Sequence, residues 1–273
     1  MLFPSLEDAQ SQENILAIGM QKGGVGKTLT AVNCAAAAAR KKLHVLLVDM
    51  DPQASLTLYF KHILKSPVKQ TMYNLLVEGA AVEPIRLNKY ISLLPANIDL
   101  AAVNQLFAIL LATKTLPNRV LARYLAPYAQ QADLVIIDCP PSLDPLTING
   151  LGAARRVIVP VSCEEMAEDA VPKIIQTIKG LRRDEAMGAN PQLEVRCILP
   201  TQYNSRGSSS PRILQHIKDH YGKEYYIYPE PVLRREAYQH AVSESVDVGA
   251  KDGELGAYWD TFVESMILQR KVA

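Results

Sequence analysis

The stretch Gln21-Lys22-Gly23-Gly24-Val25-Gly26-Lys27-Thr28 decides how the rest of the chain is read. An apolar run, Ile15-Leu16-Ala17-Ile18-Gly19-Met20, leads into it, and an alanine-rich helical run over 29–40 leads out. Strand, glycine-rich loop and helix in that order are the context a phosphate-binding loop requires. Glycines let the backbone turn tightly, so that its N–H groups converge on an anion. The helix N-terminus adds partial positive charge at the same place. The cradle then comprises Lys22, Gly23, Gly24, Val25, Gly26, Lys27, Thr28 and Leu29. Lys27 is placed to reach the outer phosphates, and the Thr28 hydroxyl to ligate Mg²⁺.

Two later runs end in carboxylates. The segment His44-Val45-Leu46-Leu47-Val48-Asp49-Met50-Asp51-Pro52-Gln53 reads as a buried, parallel strand. Residues two apart on a strand share a face, so Asp49 and Asp51 both stand at its C-terminal end, where ligands bind in open α/β sheets. The second run, Asp133-Leu134-Val135-Ile136-Ile137-Asp138-Cys139-Pro140-Pro141, presents Asp138 in the same way. An ordinary strand-end turn accounts for either run alone; the upstream loop is what gives the acids a role. Further strands are expected over 90–95, 156–161, 194–200 and 225–228, and helices over 99–107, 119–128, 164–181 and 253–271.

Composition bounds the rest. The chain has 273 residues, 48% of them hydrophobic, and a formal net charge of +1. That suffices for one large α/β domain, expected over 14–273 behind a short lead-in at 1–13. No global positive field advertises a nucleic-acid partner, so such binding needs a local patch. Cys34, Cys139, Cys163 and Cys197 are far apart, which points to buried reduced thiols rather than a zinc or iron–sulfur site. The first residues lack the basic start and apolar run of a secretory signal, and no apolar stretch is long enough for a membrane span.

The loop departs from G-x-x-x-x-G-K-[ST]: Gln21 stands where a glycine is wanted, and the extra Lys22 opens the loop. This K-G-G-V-G-K-T resembles the deviant Walker A motif of the ParA/Soj/MinD family of ATPases. The V-D-M-D-P-Q and D-C-P-P-S-L segments are similar to that family's later signatures. The resemblance covers 15–248 and implies a mostly parallel twisted sheet flanked by helices, a P-loop NTPase of the deviant Walker A type with ATP and Mg²⁺ as cofactors. It implies that Lys22 reaches a nucleotide on a facing subunit, that Asp51 helps place the attacking water, and that Asp49, Thr28 and Asp138 stand around the Mg²⁺. It also places Thr201, and more weakly Pro231, beside the adenine.

The same resemblance implies a cytoplasmic, nucleoid-associated partition ATPase for plasmid or chromosome segregation. In such proteins ATP drives formation of a homodimer, the dimer binds DNA non-specifically, and a ParB-like partner stimulates hydrolysis. Arg206, Arg212, Arg234 and Arg235 are the candidate DNA contacts; Arg155, Arg156, Arg182, Arg183 and Lys218 add to the basic residues considered. Two other functions fit the family: a MinD-like membrane-associated ATPase, and an ATPase that positions a non-DNA cargo on the nucleoid. The last helix argues against a membrane. Leu255, Tyr258, Trp259, Phe262, Val263, Met266 and Ile267 share one face, but Asp260, Glu264 and Gln269 occupy the other, where a membrane-surface helix is rich in Lys and Arg.

Overall fold

A computed structural model describes residues 13–64, 68–112, 120–164, 170–183 and 190–269. The apolar run before the glycine loop forms β1 (Ile15–Ile18), and the loop leads straight into α1 (Lys27–Arg40). Then follow β2 (Val45–Asp49), α2 (Ser55–Tyr59), β3 (Ile85–Arg86), β4 (Ile91–Leu94), α3 (Ala101–Ala112), α4 (Val120–Ala129) and β5 (Leu134–Asp138). The second half supplies α5 (Pro145–Ala153), β6 (Arg156–Ser162), α6 (Ala170–Arg183), β7 (Glu194–Thr201), α7 (Ser209–Tyr221), α8 (Glu236–Glu244) and α9 (Gly253–Phe262).

The strands make one seven-stranded sheet in the order β3-β4-β2-β5-β1-β6-β7, parallel except for the antiparallel β3 at its edge. Side chains alternate across a strand, so each central strand feeds two cores. Ile15 and Ala17 of β1 pack with α3 to α7 on one face, while Leu16 and Ile18 pack with α1, α2, α8 and α9 on the other. On α1, Ala31, Ala35, Ala37 and Ala38 are fully buried. Their small side chains leave room for Trp259 and Phe262 of α9, which meet edge to face at 5.5 Å between ring centres.

The register sets the site. Asp49 at the end of β2 lies opposite Asp138 at the end of β5, and Ile18, which precedes the loop, lies opposite Asp138 from β1. The three C-terminal ends that bear the loop and the acids are therefore adjacent.

Some expectations change. The segment 225–228 is not a strand of the sheet: it contributes one isolated bridge, Ile198 to Ile227, and a second such bridge joins Tyr203 to Leu233. The chain there runs alongside the end of β7 without forming a ladder. Helices α5, α7 and α8 are additional to those expected. The first is announced by Asp144, whose carboxylate accepts from the Thr147 N–H at 3.1 Å, with Pro145 at the first helical position. Residues 165–169 of the helix expected over 164–181, and 270–271 of the last one, lie outside the described residues, as does most of the N-terminal lead-in.

Candidate nucleotide site

The loop's shape depends on two glycines. Gly24 and Gly26 have φ of 72° and 86°, the left-handed region that side chains disfavour. Gly26 is the N-cap of α1, so the helix starts at Lys27 with its first N–H groups directed into the loop. Lys27 is buried, and its ammonium donates to the Lys22 carbonyl at 2.9 Å, spanning the loop mouth. Burial lowers its pKa, an effect opposed by the nearby Asp138 and Asp51 carboxylates. Lys22 itself is half-buried at the rim, and Leu29 is half-buried in the first turn of α1.

Asp138 is fully buried, and its Oδ2 accepts from the Thr28 hydroxyl at 2.6 Å. Its Oδ1 has no hydrogen-bond partner among the described residues. A buried carboxylate oxygen without a donor is costly in isolation and suits a cation. Burial first, and then the facing Asp49, push the Asp138 carboxyl up to about 8; the Thr28 bond and Lys27 oppose the rise. Thr28 and Asp138 thus fit Mg²⁺, which takes one or two protein oxygens and fills its remaining positions with phosphate and water.

Asp49 differs from its neighbour. Its Oδ1 accepts from the Asp51 N–H at 3.1 Å, and its Oδ2 accepts from both the N–H and the hydroxyl of Thr57, at 2.8 and 2.7 Å. Burial pushes its carboxyl up to about 6 against these donors. Both oxygens already serve the fold, so Asp49 is a less suitable metal ligand than Asp138. Asp51 is half-buried, and its Oδ1 accepts from the Gln53 N–H at 2.9 Å.

Comparison with known proteins locates this arrangement. A family model described as an AAA domain matches residues 13–195. The sporulation initiation inhibitor protein Soj of Bacillus subtilis is 35% identical over 232 residues, covering 83% of this chain and 88% of its own. The chromosome partitioning protein ParA of Caulobacter vibrioides (strain NA1000 / CB15N) is 34% identical over 230 residues, covering 82% and 83%. The chain belongs to the ParA/Soj family of ATPases. Among solved structures, one described as cobyrinic acid a,c-diamide synthase from Mycobacterium smegmatis, with a bound ATP analogue and magnesium, aligns with a TM-score of 0.79 at 34% identity, covering 93% of this chain and 94% of that one. The apo McdA structure from "Cyanthece" shares the fold, with a TM-score of 0.80 at 21% identity over 93% of this chain and 99% of that one.

Relative to the ParA/Soj expectations, Thr201 is buried, and its hydroxyl donates to the Val25 carbonyl at 2.8 Å. It holds the back of the loop. Pro231 is half-buried, and the following Val232 N–H donates to the Pro200 carbonyl at 2.9 Å, which keeps this segment beside the end of β7.

Of the arginines, Arg206, Arg212, Arg234 and Arg235 are all exposed. The Arg234 N–H donates to the Tyr203 carbonyl at 2.9 Å, bringing it to the loop that carries Arg206; its guanidinium pairs with Glu164. Arg212 lies in the first turn of α7, and Arg235 is the N-cap of α8. Arg155 and Arg156 are at the opposite end of the sheet. Arg155 pairs with the Gln192 carbonyl, and Arg156 donates to the Ile267 carbonyl at 2.7 Å, so these two serve the fold.

Three contacts at the site had no motif to announce them. Thr57 holds Asp49 from eight residues away. Gln202, at φ of 54°, donates through its amide to the Gly24 carbonyl, while its amide oxygen accepts from Ser162 at 2.7 Å. Each depends on chain segments that meet only in the folded protein. The one local signal is a polar residue in or beside a buried run.

Proposed function

We propose that this ATPase partitions DNA: ATP and Mg²⁺ join two copies face to face, the dimer binds DNA without sequence preference, and hydrolysis releases it. The observation that carries the nucleotide part is the buried Asp138, bonded to Thr28 through one oxygen and left with the other unpartnered, beside a glycine loop that opens α1. Thr28 and Asp138 would hold the Mg²⁺, which when bound neutralises phosphate charge. Lys27 and the loop N–H groups bind and orient the phosphates. Asp51 orients the attacking water at the end of β2. Asp49 supports that turn.

Lys22 supplies positive charge to the nucleotide of the facing subunit, as an in-trans finger does. Its place at the rim of the loop supports this, because Lys27 already serves the phosphates from within the same subunit. The exposed Arg206 and Arg212 follow the C-terminal end of β7, where a hydrogen bond to Tyr203 also brings Arg234 and the adjoining Arg235; all four suit contact with DNA phosphates. The kinship with Soj and ParA supports a ParB-like partner and a nucleoid-associated, cytoplasmic location. Membrane attachment through the last helix is disfavoured, because its apolar residues Trp259, Phe262, Val263, Met266 and Ile267 are buried in the core.

The test is light scattering with a non-hydrolysable ATP analogue and Mg²⁺, followed by DNA-binding titrations. Wild type dimerises and binds DNA with the analogue and not with ADP. Lys22→Ala retains nucleotide binding but loses both responses. A Lys22→Ala protein that dimerises and hydrolyses normally makes Lys22 a bystander.

A further inference from the structure

A single hydroxyl links three segments beneath the proposed water-positioning turn. Thr57 is the third residue of α2, and it is buried. Its Oγ1 donates to Asp49 Oδ2 at 2.7 Å and accepts from the Ala96 N–H, just after β4, at 3.0 Å. Its own N–H, one of the donors that the start of a helix leaves without an intrahelical acceptor, also goes to Asp49 Oδ2, at 2.8 Å. The other Asp49 oxygen receives the Asp51 N–H at 3.1 Å. The path from Ala96 to Asp51 therefore runs through one side-chain hydroxyl and one carboxylate.

The hydroxyl has work here that a methyl group cannot do. A threonine hydroxyl offers one proton and accepts on its lone pairs, and both capacities are used. Asp49 lies opposite Asp138 across β2 and β5, and the two Thr57 donors fix the orientation of its carboxyl. Without the hydroxyl, only the Thr57 N–H holds Oδ2; Asp49 then rotates more freely, its Oδ1 shifts from the Asp51 N–H, and the Asp51 backbone is held less firmly. Placement errors of about 1 Å at a reacting group cost on the order of a hundredfold in rate.

We propose that Thr57 is a positioning residue for ATP hydrolysis, fixing the Asp51 turn through Asp49. The inference rests on the assignment of Asp51 to water placement and extends it to a residue that touches neither nucleotide nor water. Thr57 acts on the chemical step alone, because the phosphates are held elsewhere, by the loop that follows β1 and by Lys27 at the start of α1.

Steady-state ATP hydrolysis by the full chain tests this, with nucleotide affinity measured by calorimetry. Thr57→Val keeps the branched shape and removes the hydroxyl; Thr57→Ala removes the hydroxyl without the branched bulk and stands in for it if the valine protein does not fold. Either lowers kcat by about tenfold or more, with KM and nucleotide affinity changed less than about twofold. Thr57→Ser restores the rate, because it keeps the hydroxyl. In an Asp51→Ala background, Thr57→Val costs less than about twofold, since two residues acting through one turn are not additive. A Thr57→Val protein at the wild-type rate beside an inactive Asp51→Ala overturns the role of Thr57 alone. So does a Thr57→Ser protein as slow as Thr57→Val, or a full penalty in the Asp51→Ala background. An Asp51→Ala protein that hydrolyses normally overturns the Asp51 assignment itself, and the role of Thr57 with it.

Discussion

At the scale of single residues, the nucleotide site places two carboxylates opposite each other, and their environments separate them. Asp138 is raised to about 8 and Asp49 to about 6, burial being the first cause for both. An unfolded aspartate titrates near ~3.9. The folded carboxyls therefore hold protons that the unfolded chain gives up. Their contribution to stability is full below pH ~4 and is lost as pH rises, through about 6 for Asp49 and about 8 for Asp138. Asp138→Asn cannot ionise, so without nucleotide its unfolding free energy falls less steeply between pH 5 and 8, and it gains ~1 kcal/mol or more on wild type at the upper end. Urea unfolding at several pH values measures this; parallel curves for the two proteins would rule it out. A second prediction concerns Lys27→Ala. It removes the ammonium that spans the loop and the charge that meets the phosphates, so nucleotide binding is lost. Calorimetry with ATP and Mg²⁺ reads this directly.

At the scale of elements, the last helix owes its place to a charge that the apolar pattern does not contain. Beyond α9 the chain continues as a π-helical segment, Val263–Leu268. Buried Arg196 of β7 donates to the carbonyls of Met266 at 2.6 Å, Ser265 at 3.3 Å and Gln269 at 2.6 Å. A helix end leaves carbonyls without intrahelical partners, and a guanidinium with five N–H groups can satisfy several at once. Arg196→Met keeps much of the volume and leaves those carbonyls buried and under-bonded. It should cost ~2 kcal/mol or more, hydrogen bonds to a charged group being worth ~1.5–3 kcal/mol each. The midpoint of urea unfolding measures the loss, and an unchanged midpoint would show that water replaces the guanidinium. The apolar face of this helix was legible from its spacing; the arginine beneath its end was not, because nothing in the order of residues brings 196 to 266.

At the scale of the whole molecule, the formal net charge of +1 means that the proposed DNA binding must come from a local group of cations. Binding to DNA phosphates releases counterions, so affinity should fall steeply with salt. The double substitution Arg234→Ala with Arg235→Ala should weaken binding to all sequences alike and flatten the salt dependence. Glu164 already neutralises part of the charge on Arg234, so Glu164→Gln should strengthen binding modestly. Titrations of labelled duplexes of different sequence, from low to moderate salt, read these effects; strong sequence preference would contradict the mechanism.

The sequence by itself determined the frame of the protein. Runs such as Val45–Asp49 and Leu134–Asp138 are buried on both faces, so their apolar residues are continuous and their terminal acids stand out. The glycines and Lys27 are legible because a left-handed loop opening a helix needs those residue types in that order. Local order carries such information whenever the interaction spans a turn or a strand. The tertiary structure alone decided how the acids divide their work. Both Asp49 and Asp138 end an apolar strand, and their neighbours in sequence do not distinguish them. What separates them is that Thr57 and the Asp51 N–H meet the oxygens of Asp49, while Asp138 keeps one oxygen without a protein donor. Likewise Thr201 and Gln202 hold the loop across two strands, at separations of 176 and 178 residues. Hydrogen bonds are short-ranged and directional, so partners that distant in the chain are chosen only after the sheet order has brought their strand ends together.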